Sequence, residues 1–248
     1  MNREPSQIPK ILHYCWFGRG EKPKKIQKCM KSWEKHLRDY EWVEWNEDNF
    51  DIGSHEFVRQ AYEARKYAFV SDYVRLYALY NHGGIYLDTD VEAVRPLDRF
   101  LTHSAFSGFE DETNLQSGTM GAVKGHPWIG GLLRYYDGRS FVLPDGTLDM
   151  TSNTSIMTKA CAEQGLLRNG QRQQLDSGLV VYPRAYFSPY DYINGETFMT
   201  DESYTIHHFA QSWLPAHVRL RGEVKRVVSR YVGPKFISGM RRRFASRR

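Results

Sequence analysis

Two aspartates, Asp88 and Asp90, close the run NHGGIYLDTDVEAVRPL at residues 81–97. Carboxylates are seldom buried without a partner. Alternate positions of an extended chain face the same side, so the two acids are expected to converge. Like charges held that close repel unless a cation sits between them. Hard divalent ions such as Mg²⁺ or Mn²⁺ take oxygen ligands and complete their shell with phosphate oxygens. The pair therefore suits metal-assisted chemistry on a phosphate-bearing substrate. A bare D-x-D is common, but an apolar strand and a Gly-Gly turn just before it place these acids at a sheet edge.

Three further groups of residues can join that chemistry. In SDYVRLYALYNHGG, Asp72 and Arg75 stand three apart on one helical turn. They form either a local salt bridge or a working pair, with Asp72 on ribose hydroxyls and Arg75 steadying the D-x-D carboxylates or a phosphate. In TIHHFAQSWLP (205–215), the adjacent His207 and His208 lie on an expected strand and face opposite sides, so one can enter a site. An imidazole ligates Mn²⁺-like ions, while the Ser212 hydroxyl and the Trp213 indole N–H can donate to a phosphate. Trp16 in HYCWFG, at the end of the first strand, either stacks on a nucleobase or packs in the core.

The elements that must position these groups follow from hydrophobic spacing. IPKILHYCWFG (8–18) reads as a buried strand ending in a glycine turn. PKKIQKCMKSWEKHL (23–37) reads as an amphipathic helix with Ile26, Met30, Trp33 and Leu37 on its inner face. YEWVEWNEDNF (40–50) reads as a second strand. Residues 56–81 read as one or two helices stopped by Gly83-Gly84, and Ile85–Asp88 as a short buried strand. This alternation argues for an α/β fold with a mostly parallel sheet, in which ligands bind off the carboxyl ends of the strands. Residues 100–200 read as loops and short strands such as SGLVVYP, with one short helix in TSNTSIMTKACAEQG (151–165).

Composition narrows the class. The chain has 248 residues, 41% of them hydrophobic, which is enough for a substantial core. No run approaches a membrane-spanning length, and the polar start MNREPSQIPK lacks the apolar segment of a secretory signal. Cys15, Cys29 and Cys161 are widely spaced without a CxxC, so reduced thiols in the cytoplasm are expected, with neither zinc site nor disulfide framework. The net charge of +5 is uneven: residues 219–248 hold 11 Lys or Arg and one acid, leaving −5 on the rest. In that tail Leu220, Val224, Val227, Val228 and Tyr231 share a helical face. KFISGMRRRFASRR then sets apolar groups among arginines, a pattern suited to an anionic membrane surface or to a solvated basic end. With no basic face carrying stacking aromatics, a nucleic-acid partner is not expected.

Taken in order, IPKILHYCWFG, FVSDYVRLYALYNHGGIYLDTDVEAVRPL and IHHFAQSWL resemble glycosyltransferase family 32. That group includes bacterial capsule and lipopolysaccharide sugar transferases and yeast Golgi mannosyltransferases, with the glucosyltransferase domains of large clostridial toxins more distant. The resemblance covers residues 8–18, 66–97 and 205–214. It implies a fold of the GT-A nucleotide-sugar-binding type, a UDP-sugar donor ahead of a GDP-sugar, Mn²⁺ or Mg²⁺, and retention of anomeric configuration. It also implies roles. Trp16 stacks the base, Asp72 binds the donor with Arg75 beside it, and Tyr86 belongs to the same donor-binding run. Asp88 and Asp90 hold the metal with His207 or His208 as third ligand. Ser212 and Trp213 clamp the phosphate, and Asp88, Asp90, Arg75 and Trp213 make the catalytic set. Relatives often show Gly-Pro where this chain has TSNTS at 151–155, which leaves the sugar and acceptor side unassigned. The expected acceptor is a glycan or lipid-linked glycan in bacterial surface polysaccharide synthesis. The expected organisation is a catalytic domain over 1–218 and a membrane-binding tail over 219–248 at the inner face of the cell membrane.

Two other classes compete. A phosphohydrolase of the haloacid dehalogenase type also places D-x-D after an apolar strand, but its pattern wants Thr or Val where this chain has Glu92, and a later Gly-Asp is missing. A non-catalytic sugar- or lipid-binding module would dispense with the metal set.

Overall fold

The computed structural model describes residues 7–192 and 195–210; Ser212, Trp213 and the basic stretch 219–248 lie outside the described residues. The chain begins with β1 (Ile11–Cys15), α1 (Lys24–His36) and β2 (Glu41–Trp45), followed by α2 (Glu56–Glu63), α3 (Tyr67–His82), β3 (Gly84–Leu87) and β4 (Val91–Ala93). The middle contributes β5 (Ala105–Gly108), β6 (Thr119–Ala122), α4 (Pro127–Arg134), α5 (Asn153–Ala162), β7 (Gln173–Gln174) and β8 (Leu179–Tyr182). Then come α6 (Arg184–Phe187), β9 (Tyr190–Asp191), β10 (Glu196–Thr197) and β11 (Thr205–His207).

Seven strands form one sheet in the order β2-β1-β3-β6-β5-β8-β7. β2, β1 and β3 are mutually parallel, and β5 and β8 share their sense, while β6 and β7 run against it. Five of the seven strands thus point one way, the mostly parallel α/β sheet that the sequence led us to expect. The reversed β6 was not foreseen: it inserts between β3 and β5 and carries the segment that backs the site. β4 and β11 pair antiparallel in a separate ribbon, His207 opposite Val91.

The sheet is apolar on both faces because its strands are covered on both. Ile85 and Leu87 of β3 face the cluster that includes Leu12, Trp33 and Phe100, whereas Tyr86 faces the one built from α2, α3, α4 and α5. That alternation decides where the next acid goes. Asp88 follows Leu87 and falls on the Tyr86 side, toward α3. The sequence reading attributed the convergence of Asp88 and Asp90 to strand pleating. Here β3 ends at Leu87, and a turn closed by the Val91 N–H donating to the Asp88 carbonyl (2.9 Å) brings the acids together instead. Between α3 and β3, Gly84 adopts φ +114, and an added Cβ would lie 2.6 Å from the Ile11 carbonyl oxygen. Only glycine lets β3 start flush against β1.

β1 and the helix stop are tied by His13, which is 1% exposed. The Trp45 indole donates to its Nδ1 (3.1 Å), so Nε2 carries the proton and donates to the Gly83 carbonyl (2.8 Å). A second proton would turn Nδ1 into a donor facing a donor. Burial, which outweighs the Gly83 carbonyl, lowers this imidazole from 6.5 to about 4. The unfolded chain therefore binds a proton that the folded one refuses between those values. Stability from this group is complete above pH 6.5 and is lost as pH falls toward 4, by as much as about 3 kcal/mol. Urea denaturation of His13→Gln at pH 7 and pH 4.5 should show a smaller acid-induced loss than the unsubstituted chain; an identical loss would contradict this assignment.

Candidate active site

The site is built around Arg75, on the sheet-facing side of α3 and only 4% exposed. Its Nη2 meets Asp72 at 2.8 Å, one turn back on the same helix, and Asp88 at 3.2 Å. Its Nη1 donates to the Ser117 carbonyl (2.7 Å) and its Nε to the Ser71 carbonyl (3.2 Å), while the guanidinium lies 4.7 Å from the centre of the Tyr86 ring. The planar guanidinium suits this task, since it meets two carboxylates and two carbonyls at once. Burial alone would favour its neutral form, but the charge of Asp88 and the neighbouring Tyr86 and Asp72 keep it protonated. The Tyr86 hydroxyl also donates to Asp88 (3.0 Å). Asp72 feels burial first and Arg75 second, and its pKa rises to about 6.

On the far side of the turn, His207 Nε2 stands 3.2 Å from Asp90 and 3.9 Å from Asp88. Burial would lower this imidazole, but the two carboxylates outweigh it and raise it to about 9; the histidine and the Ala210 N–H (2.6 Å) hold Asp90 well below the usual carboxylate range against its own burial. Among the described residues, Asp88, Asp90 and His207 offer ligand atoms all within 4.8 Å of one another. His208, the other member of the pair, turns to the opposite side and meets Glu92 at 2.8 Å. The reason is the β4–β11 register, which leaves the two histidines on opposite faces of the ribbon. The His208 side chain is therefore turned away from the Asp88–Asp90 pair, although its N–H donates to the Asp90 carbonyl (3.1 Å).

Two features support a cation among these three groups. The donor set pairs two carboxylates with one imidazole, which suits Mn²⁺-like ions, and the high basicity of His207 shows how strongly the pocket favours positive charge. Gly118 then closes the floor: a Cβ there would lie 2.9 Å from the His207 ring and 3.1 Å from an Asp88 oxygen, and its carbonyl already accepts the Asp88 N–H (2.9 Å). Gly118, in NLQSGTM, carried no signal in the sequence. Neither did Phe209, whose φ of +45 puts it in a region that bulky residues rarely occupy. That bend stacks the Phe209 ring on His207 (4.0 Å between centres) and turns the next N–H toward Asp90. Glu110, just past β5, is a third unforeseen member; burial raises its carboxyl despite His207 nearby.

Trp16 lies just past the end of β1, next to β3 in the sheet. It is half-buried, its indole donates to the Gly20 carbonyl (2.7 Å), and the Lys22 ammonium sits 5.4 Å from its ring centre. Asn153 of the TSNTS segment is buried with no hydrogen bond of good geometry to either amide atom, yet close enough to Asp72 to lower its pKa. Ser212 and Trp213 lie outside the described residues.

The site thus lies at the carboxyl edge of a mostly parallel sheet, with D-x-D in a turn and a basic residue behind it. Residues 23–107 match the family described as a glycosyltransferase sugar-binding region containing a DXD motif, so the chain contains that region. It is 33% identical over 132 residues to inositol phosphoceramide mannosyltransferase 3 of Schizosaccharomyces pombe, covering 52% of this chain and 37% of that protein. It is 29% identical over 133 residues to mannosyl phosphorylinositol ceramide synthase CSH1 of Saccharomyces cerevisiae, covering 50% of this chain and 34% of that one. The chain thus spans little more than a third of the length of these relatives. A solved structure, PaToxG glycosyltransferase, overlaps 65% of this chain and 71% of its own at a TM-score of 0.49 and 19% identity.

The floor glycine gives a direct prediction. Gly118→Ala should leave a cooperative melting transition while weakening Mn²⁺ binding by at least about tenfold, as loss of ligand support usually does. Unchanged affinity in an isothermal titration would remove Gly118 from the site.

Proposed function

We propose that this chain is a metal-dependent, retaining glycosyltransferase that moves a sugar from a nucleoside-diphosphate donor to a hydroxyl of a glycan or lipid-linked acceptor. The observation that carries the reading is the convergence of Asp88, Asp90 and His207 beside the Arg75–Asp72 pair. The names of the curated relatives favour mannose as the sugar and a phosphoinositol lipid as the acceptor. Residues 1–218 would form the catalytic unit, with 219–248 as a basic extension.

Each group then has a task. Asp88, Asp90 and His207 would hold a divalent cation, which when bound supplies positive charge to the donor diphosphate. Arg75 would hold Asp88 in place, and Asp72 would accept hydrogen bonds from donor hydroxyls. Trp16 offers an aromatic face at the strand edge for the base, once Lys22 swings aside. Ser212 and Trp213 would donate hydrogen bonds that strengthen as charge gathers on the leaving nucleotide. Glu110, with its raised pKa, would be a candidate to meet an acceptor hydroxyl. Attack by that hydroxyl forms the new glycosidic bond as the sugar–phosphate bond breaks, and the hydroxyl proton leaves with the released nucleotide's phosphate. Among the described residues, no side chain stands out as a covalent nucleophile.

The test is a donor panel of UDP- and GDP-hexoses with Mn²⁺, scored by nucleotide release with and without an acceptor glycolipid. Asp90→Asn should cut turnover at least about a thousandfold while circular dichroism and melting stay near the parent. Turnover within threefold of the parent in that variant, or release of phosphate from simple phosphate esters by the parent, would contradict the proposal.

A further inference from the structure

The charge count hides a segregated positive face outside the tail. Residues 21–39 contain seven Lys or Arg and three acids, a net +4, while residues 1–218 together carry −5, so the remainder of that stretch stands at −9. Within α1, Lys24, Lys28, Lys31 and Lys35 follow at spacings of four, three and four. At 100° per residue they fall within about 60° of arc, a straight stripe roughly 16 Å long. All four are exposed, and none meets a carboxylate in an ion pair among the described residues. Isolated charges of one sign on a stable helix face gain nothing from the fold, since they repel each other at these spacings.

The helix that carries the stripe packs beside the site, with the stripe on its outer side. The buried face of α1 sends the Trp33 indole to the Val91 carbonyl (2.8 Å), and the Ser32 hydroxyl accepts the Ala93 N–H (2.8 Å). Both contacts fall on β4, the strand that leaves the Asp88–Asp90 turn. Cys29 belongs to the same buried face and is 2% exposed.

We infer that this face of α1 docks the protein on an anionic lipid surface. Complementarity of charge argues for the occupant. Lysine ammoniums on flexible stems suit diffuse, laterally mobile headgroup phosphates, whereas paired or base-stacked ligands draw on arginine and aromatics. The exposed residues beside the stripe include Gln27 and Glu34 and no aromatic, so a single-stranded nucleic acid finds no stacking platform there. The docking does not depend on the transfer reaction being assigned correctly, because it is read from vesicle binding alone.

The experiment is co-sedimentation of the full chain with vesicles of phosphatidylcholine, alone or with phosphatidylserine added, comparing the parent with the combined variant Lys24→Gln, Lys28→Gln, Lys31→Gln and Lys35→Gln. Near an anionic surface each lysine contributes about 1 kcal/mol, so the variant should partition onto phosphatidylserine vesicles on the order of a hundredfold to a thousandfold more weakly at low salt. Its melting temperature and Mn²⁺ affinity should match the parent's, and parental binding should fall as salt rises. Parent-like partitioning of the variant would assign membrane contact to another surface and overturn the inference. So would a parent that ignores phosphatidylserine, or one that prefers RNA to vesicles of equal charge.

Discussion

The site depends on one buried guanidinium. Arg75 stands between Asp72 and Asp88 in a region where burial raises the Asp72 carboxyl despite the arginine beside it. Removing one partner from a buried charge pair costs about 3–5 kcal/mol, because the other is left uncompensated. The arginine therefore settles more than its own contacts. It fixes Asp88 at the end of β3, it ties α3 to the Ser117 carbonyl just before Gly118 and β6, and it packs flat on Tyr86, which in turn donates to Asp88. A lysine could supply the charge without the fork, and would leave at least one of these oxygens unmet.

Charge balance then divides the site in two. On the α3 side, Arg75 offsets Asp72 and Asp88 with a proton that it never releases. On the β11 side, Asp90 relies on His207 and a single backbone N–H. The first half is permanent and rigid, while the second holds a group whose charge can change. In the proposed reading, a divalent ion held by Asp88, Asp90 and His207 would take the place of the proton on His207. The strained bend at Phe209 belongs to the same half, where it caps the imidazole and turns the Ala210 N–H onto Asp90.

Much of the fold was legible because its first half is encoded locally. Apolar runs, one amphipathic helix and a glycine pair mark β1, α1, β2, α3 and β3 in their observed order, and the Asp72–Arg75 spacing announces a helical pair. What stayed hidden depends on contacts across long stretches of sequence. Nothing in TMGA signals a reversed strand between β3 and β5, and nothing in SGT signals that Gly118 will touch both Asp88 and His207. The choice between His207 and His208 required the register of β11 on β4. The acids of the D-x-D converge as expected, but through a turn and not through the pleat. The charge total pointed to the tail alone, since a helix's surface stripe is averaged away when its inner face and its neighbours are counted with it.

The most direct test of the metal site is electron spin-echo envelope modulation of Mn²⁺ bound to the chain in the presence of a nucleoside diphosphate. The geometry predicts coupling to one histidine nitrogen, abolished in His207→Ala and retained in His208→Ala. An absence of nitrogen coupling in the parent, or its loss in His208→Ala alone, would contradict the account.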